Sequence, residues 1–283
     1  MRDSPADWDV LRLLDAPVWF SKRHLWPMVA MIVPARLIAV APSTVGQALT
    51  WGVAADPSSP RFWIGTALTW LGVMVSLSVM MGLYAAIAHQ VGARYNGRVA
   101  SVRESWAFAL RPAVLGTSAV VGLLVVIGSA MCMLPGLFAA ALLGLALPVM
   151  VEEGRVGGAA LDRAMELARH GRRGRWFTST GALVMCVGFT WTMINYAVNS
   201  LVTLPAGVMA GAAGIKAAAS GAVGADPMAM VPGWMAVVVN LGAALLAAPA
   251  DLYLIAGMAM LHRRAVDLLE GRDLEAAIAE RAP

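Results

Sequence analysis

Long apolar runs broken by short arginine-rich blocks organise this chain, and the lengths of the runs predict its elements. A helix rises 1.5 Å per residue, so about 20 apolar residues cross a hydrocarbon layer of about 30 Å. Six stretches read as spans, at 25–48, 62–88, 112–134, 136–151, 176–204 and 233–261. The third and fourth belong to one uncharged run, 112–151, which as a single helix would be about 60 Å long and must therefore fold back. Leu134-Pro135-Gly136 is the expected corner, because proline lacks an amide hydrogen and glycine tolerates turn conformations. The fourth span is short and ends at Glu152 and Glu153.

Between spans the periodicity changes. In GGAALDRAMELARHGRRGRW, Leu161, Ala164, Met165 and Ala168 share one helical face, with Asp162, Arg163, Glu166, Arg169 and His170 on the other. SVRESWAFALRP repeats the pattern more roughly, and WDVLRLLDAPVWF is expected to lie on the same membrane surface. The predicted fold is all-α and polytopic: six transmembrane helices in three hairpins, with cytoplasmic interfacial amphipathic helices. Its parts are an interfacial segment, 1–24, a transmembrane domain, 25–262, and a cytoplasmic tail, 263–283. The Gly/Ala-rich stretch 206–225 reads either as an outer loop or as a helical extension beyond Pro205.

Charge orients the bundle. Of 21 Lys and Arg residues, eighteen flank the same ends of the spans, against Arg61 and Lys216 at the opposite ends and Arg36 within the first span. Cytoplasmic loops retain basic residues, so both termini are expected inside, in a bacterial inner membrane. Trp19, Trp26, Trp106 and Trp176 fall at the predicted inner boundary, and Trp51, Trp63 and Trp234 at the outer one. Composition agrees: 59% hydrophobic residues, 13% charged residues and a mean hydropathy of +0.71 suit lipid as solvent. The net charge of +4 comes without base-stacking aromatics or a groove-binding motif, so no nucleic-acid partner is expected. The acidic start, Asp3, Asp7 and Asp9, argues against a cleaved signal peptide, and Cys132 and Cys186 fall at different depths and are expected to stay unpaired.

The stretch CMLPGLFAAALLGLALPVMVEEGRVGGAALDRAMELARHGRRGRW resembles the membrane domain of some bacterial glycerophosphodiester phosphodiesterases and their stand-alone relatives. The resemblance rests on Pro148, Glu152 or Glu153, Gly157 or Gly158, Ala160, Arg163 and Trp176, and on the tail RRAVDLLEGRDLE. A Tyr-x-Asp of that family is replaced here by residues 260–262. The resemblance implies the six-span layout and no catalysis, since the phosphodiesterase chemistry of fused relatives resides in a separate soluble barrel.

Candidate chemistry is sparse. Adjacent helical residues point about 100° apart, so Glu152 and Glu153 do not converge on one bond and are expected to pair with Arg155, Arg163 or Arg172. His24, His89, His170 and His262 lie near boundaries without metal-ligand spacing, and no GxSxG, P-loop or GxGxxG occurs, so no cofactor or metal is expected. Asn195 and Asn199, four apart, and Asn240 form a candidate intramembrane polar cluster that either lines a pore or hydrogen-bonds between helices. Arg36 and Asp251 share a depth of about 16 to 18 Å from the inner boundary and are expected to form an ion pair.

These features point to a non-enzymatic membrane protein that organises or assists a complex. Its expected partners are the bilayer and other membrane proteins or further copies of itself. The alternative is a small transporter or exporter of a hydrophobic or anionic solute, for which Pro27 and Pro34 would interrupt the first span and Pro249 the last.

Overall fold

The computed structural model describes residues 10–50, 58–131, 133–169, 179–219 and 233–271, and every regular element among them is an α-helix. In chain order these are α1 (Val10–Thr50), α2 (Pro60–Tyr95), α3 (Val102–Ala109), α4 (Pro112–Met131), α5 (Met133–Leu143), α6 (Ala146–Glu152), α7 (Gly158–Arg169), α8 (Thr180–Ala219), α9 (Gly233–Leu246) and α10 (Ala248–Glu270). Four helices are long and apolar enough to cross a membrane, or five if α3 and α4, bent 71° to each other, count as one broken span. In place of the expected fourth span lie most of α5 and the whole of α6, which together make the shorter apolar stretch Phe138–Glu152.

Several boundaries differ from expectation for local reasons. α1 runs without interruption through Pro17, Pro27 and Pro34, so neither Pro27 nor Pro34 interrupts the helix as expected. A proline costs one ladder bond, and the turns on either side hold the helix together. Near Pro249 the regular helix is interrupted at the single residue Ala247, whose amide still donates to the Ala243 carbonyl at 3.0 Å, and Val237–Glu270 remains one apolar stretch long enough to cross a membrane. α8 passes through Pro205 to Ala219, which makes the Gly/Ala-rich stretch helical that far. The reversal between α4 and α5 precedes the expected corner, since Leu134, Pro135 and Gly136 already belong to α5. A Cβ on Gly128 would lie 2.9 Å from the Gly136 amide nitrogen, so backbone meets backbone where the two helices fold together.

The chain divides into two compact units. The first comprises Met1–Val29, Met81–Thr192 and Pro249–Pro283. Its core includes Leu83 and Ile87 of α2, Leu145 and Met150 around α6, Leu167 of α7 and Leu252 of α10, each essentially inaccessible. α7 packs on α5 and α6 through Ala160, Ala164, Leu167 and Ala168, whereas Leu161 and Met165 are half-buried.

The second unit comprises Ala30–Met80 and Met193–Ala248. Ala206, Ala210 and Met235 form a small core with Val239 packed against it. α1 and α2 approach closely along Gly46, Gly65 and Gly72; a Cβ on Gly72 would stand 2.7 Å from the Ser43 Cα, and one on Gly65 2.8 Å from the Gly46 carbonyl oxygen. Small residues permit such approach, and van der Waals packing then holds helices that gain nothing from the hydrophobic effect in lipid. Gly72→Ala is expected to cost about 1–3 kcal/mol by overpacking. Gly188→Ala, where a Cβ meets nothing within 4 Å, should leave the detergent melting temperature unchanged or raised. Equal effects of the two changes would remove the close-packing account.

Candidate functional site

The first unit gathers its charges where α6 ends. Glu152 is the last residue of α6, and Glu153 caps it, its amide donating to the Val149 carbonyl at 2.9 Å. The chain then turns at Gly154 and Gly157, whose φ angles of +69° and +63° lie in the left-handed region that glycine enters freely. The Gly157 amide donates to the Thr117 hydroxyl at 2.7 Å, and that hydroxyl donates to the Ala113 carbonyl, which ties the turn to α4. α7 therefore returns along α6, and Arg163 comes to face Glu153.

The two carboxylates have different guanidinium partners, in keeping with their divergence along a helix. The Arg263 Nε donates to both oxygens of Glu152, at 2.9 and 3.1 Å, while its Nη2 donates to Asn96 Oδ1 at 2.8 Å. Its guanidinium also sits 4.9 Å from the Tyr95 ring centre. Glu153 takes Arg163 Nε at 3.1 and 3.2 Å and Arg155 Nε at 3.1 Å. Arg163 extends the network to Glu166 at 2.9 Å and Glu270 at 3.0 Å. The His262 side chain, 3% exposed, lies between the carboxylates: its Nε2 donates to Glu153 at 3.1 Å, and its Nδ1 stands 3.8 Å from Glu152. Charge-assisted bonds of this kind are about twice as strong as neutral ones, and here they join α6, α7 and α10.

Partial burial pushes the Glu153 carboxyl upward, but hydrogen bonds from His262 and Arg163 and the adjacent positive charge outweigh it and hold it below its ordinary 4.5. Arg163 is lowered by its own burial and raised further by its bonds to Glu166 and Glu153, with a net upward result. A carboxyl depressed in the folded state contributes stability that is complete above its unfolded value and lost as the pH falls through the native one. The detergent melting temperature should therefore begin to fall below about pH 5, and Glu153→Gln should flatten that limb. An unchanged acid limb in the variant would mean that other carboxyls carry it.

The structure brings together Glu152, Glu153, Arg155 and Arg163 of the expected cluster; Arg172 lies outside the described residues, as do His170 and Cys132. His262, Arg263, Asn96 and Glu270 were not anticipated as members. A histidine and an arginine immediately after an apolar run were the available signal, and it marks a boundary equally well.

The other candidates lie outside this charged cluster. Asp251 is fully buried in the first turn of α10, and its Oδ1 accepts from the Tyr84 hydroxyl at 3.2 Å and from Trp191 Nε1 at 3.4 Å. Arg36 is half-buried in the second unit. In that same unit the Asn240 amide donates to Gln47 Oε1 at 2.9 Å, Asn195 is half-buried and Asn199 is exposed. Cys186 is an exposed free thiol on α8. His89 stacks on Phe108, ring centres 4.9 Å apart, and lies 3.3 Å from Ser105. Comparison with known proteins adds no relative: no family model, curated protein or solved structure matches this chain.

Proposed function

We propose that this chain is a non-enzymatic integral protein of the bacterial inner membrane, with six spans and both termini cytoplasmic, that organises or assists a membrane complex. The observation that carries the reading is the saturation of its most reactive-looking pair: Glu152 and Glu153 are each held by guanidinium groups. A general acid or base needs a carboxyl free to exchange a proton with substrate, and these are committed to joining helices. The kinship read from the 132–176 stretch belongs to the same proposal and concerns layout alone. Its partners would be the bilayer and other membrane proteins or further copies of the chain, which large exposed side chains such as Trp70, Phe138 and Tyr196 could meet. Co-purification after mild solubilisation tests this: a defined companion or a homo-oligomer is expected, and a strictly solitary protein would count against it.

A second reading, a small transporter, is favoured by one observation. Asp251 sits fully buried immediately after the interruption between α9 and α10, and interrupted helices with an ionisable group at membrane depth are a common construction for solute and ion sites.

A further inference from the structure

Two sets of basic residues in the first unit contrast with each other. Arg155, Arg163 and Arg263 are neutralised by Glu152 and Glu153, whereas Lys22, Arg23 and Arg94 form no ion pair with a described carboxylate. The nearest acid along α1, Asp15, is seven residues from Lys22, about 10 Å along the helix. Arg94, at the end of α2, is half-buried; its Nη1 donates to His24 Nδ1 at 3.3 Å, and its Nε is shut off from solvent without a hydrogen-bond partner. That nitrogen has given up hydration without gaining an acceptor, and the half-buried guanidinium has gained no carboxylate, which is costly.

The surroundings supply a reason. On α1, Trp19 and Trp26 are 71% and 80% exposed, two turns apart, with exposed Lys22 and Arg23 between them. Positions i, i+3, i+4 and i+7 share one helix face, and the Lys22 ammonium lies 5.3 Å from the Trp19 ring centre. Indoles settle at the headgroup level of a bilayer, and guanidinium forks match phosphate oxygens. A zwitterionic headgroup would bring its own cation to a surface already unbalanced by three positive charges; an anionic one would compensate them.

We infer that the edge formed by α1 around Trp19–Trp26 and by Arg94 of α2 is a binding site for the phosphate of an anionic glycerophospholipid headgroup, with Arg94, Lys22 and Arg23 as its cations and the two indoles as flanking anchors. The inference rests on the membrane reading above and deepens it.

The test is native mass spectrometry of the full chain in detergent, titrated with phosphatidylglycerol or phosphatidylcholine. Preferential retention of phosphatidylglycerol is expected, falling about fivefold for each cation removed in Arg94→Gln and Lys22→Gln, the factor that one basic residue contributes at an anionic surface. Arg103→Gln, an equal change of net charge outside this edge, should leave retention intact. Three results would each overturn the site: equal retention of the two lipids, an equal loss in Arg103→Gln, or displacement of phosphatidylglycerol by millimolar inorganic phosphate, which would make the ligand a soluble anion. Melting curves of the same samples establish that the variants are folded. A companion that still co-purifies while lipid preference is absent would remove this site and leave the organising role standing.

Discussion

Arg163→Ala is expected to lower the stability of the first unit by about 3 kcal/mol, the scale for removing one partner from a buried ion pair. The Arg163 side chain is only 10% exposed and Glu153 17%, so solvent can take over little of the lost interaction. Three carboxylates, Glu153, Glu166 and Glu270, converge on that one guanidinium, and its loss would leave them facing one another. Arg155→Ala removes a partner that is 51% exposed, and exposed pairs contribute about 0–1 kcal/mol. Chemical or thermal denaturation in detergent should separate the two variants clearly. Arg163→Lys should recover only part of the loss, since an ammonium cannot reach three acceptors in a fixed fork. Equal stabilities for Arg163→Ala and Arg155→Ala would mean that the network is decorative.

Asp251→Leu should be comparably severe. Its carboxylate oxygen is an acceptor shared by the half-buried Tyr84 and Trp191; a donor that loses its acceptor costs up to about 1–3 kcal/mol, less where solvent reaches it. Asp251→Asn keeps an oxygen in place and should retain most of the fold. That contrast also separates the two functional readings. If the residue serves packing alone, Asn at 251 behaves like wild type in every assay. If it is a transport site, the Asn variant folds, yet solute flux into liposomes falls to the level of empty vesicles. Full folding of the Leu variant would show that the hydrogen bonds contribute little.

The helical class, the positions of the main apolar runs and the divergence of Glu152 from Glu153 were all legible in the sequence, because run length and the 3.6-residue period are local properties of the chain. The sequence also offered Arg155, Arg163 or Arg172 as partners for the two carboxylates, since all follow within a short stretch; of the two carboxylates it is Glu153 that takes Arg155 and Arg163. Proline was a weaker guide: Pro27 and Pro34 leave α1 unbroken while the regular helix is interrupted near Pro249, because a lost ladder bond becomes an interruption only where surrounding packing rewards one. The tertiary structure alone decided that Glu152 meets Arg263, 111 residues away, that His262 lies between the two carboxylates, and that Asn240 answers Gln47 across 193 residues. Sequence periodicity says which face of a helix is polar, but which distant face it meets depends on helix register and crossing, and those are set by close approaches such as Gly92 on Val151 and Gly257 on Val187.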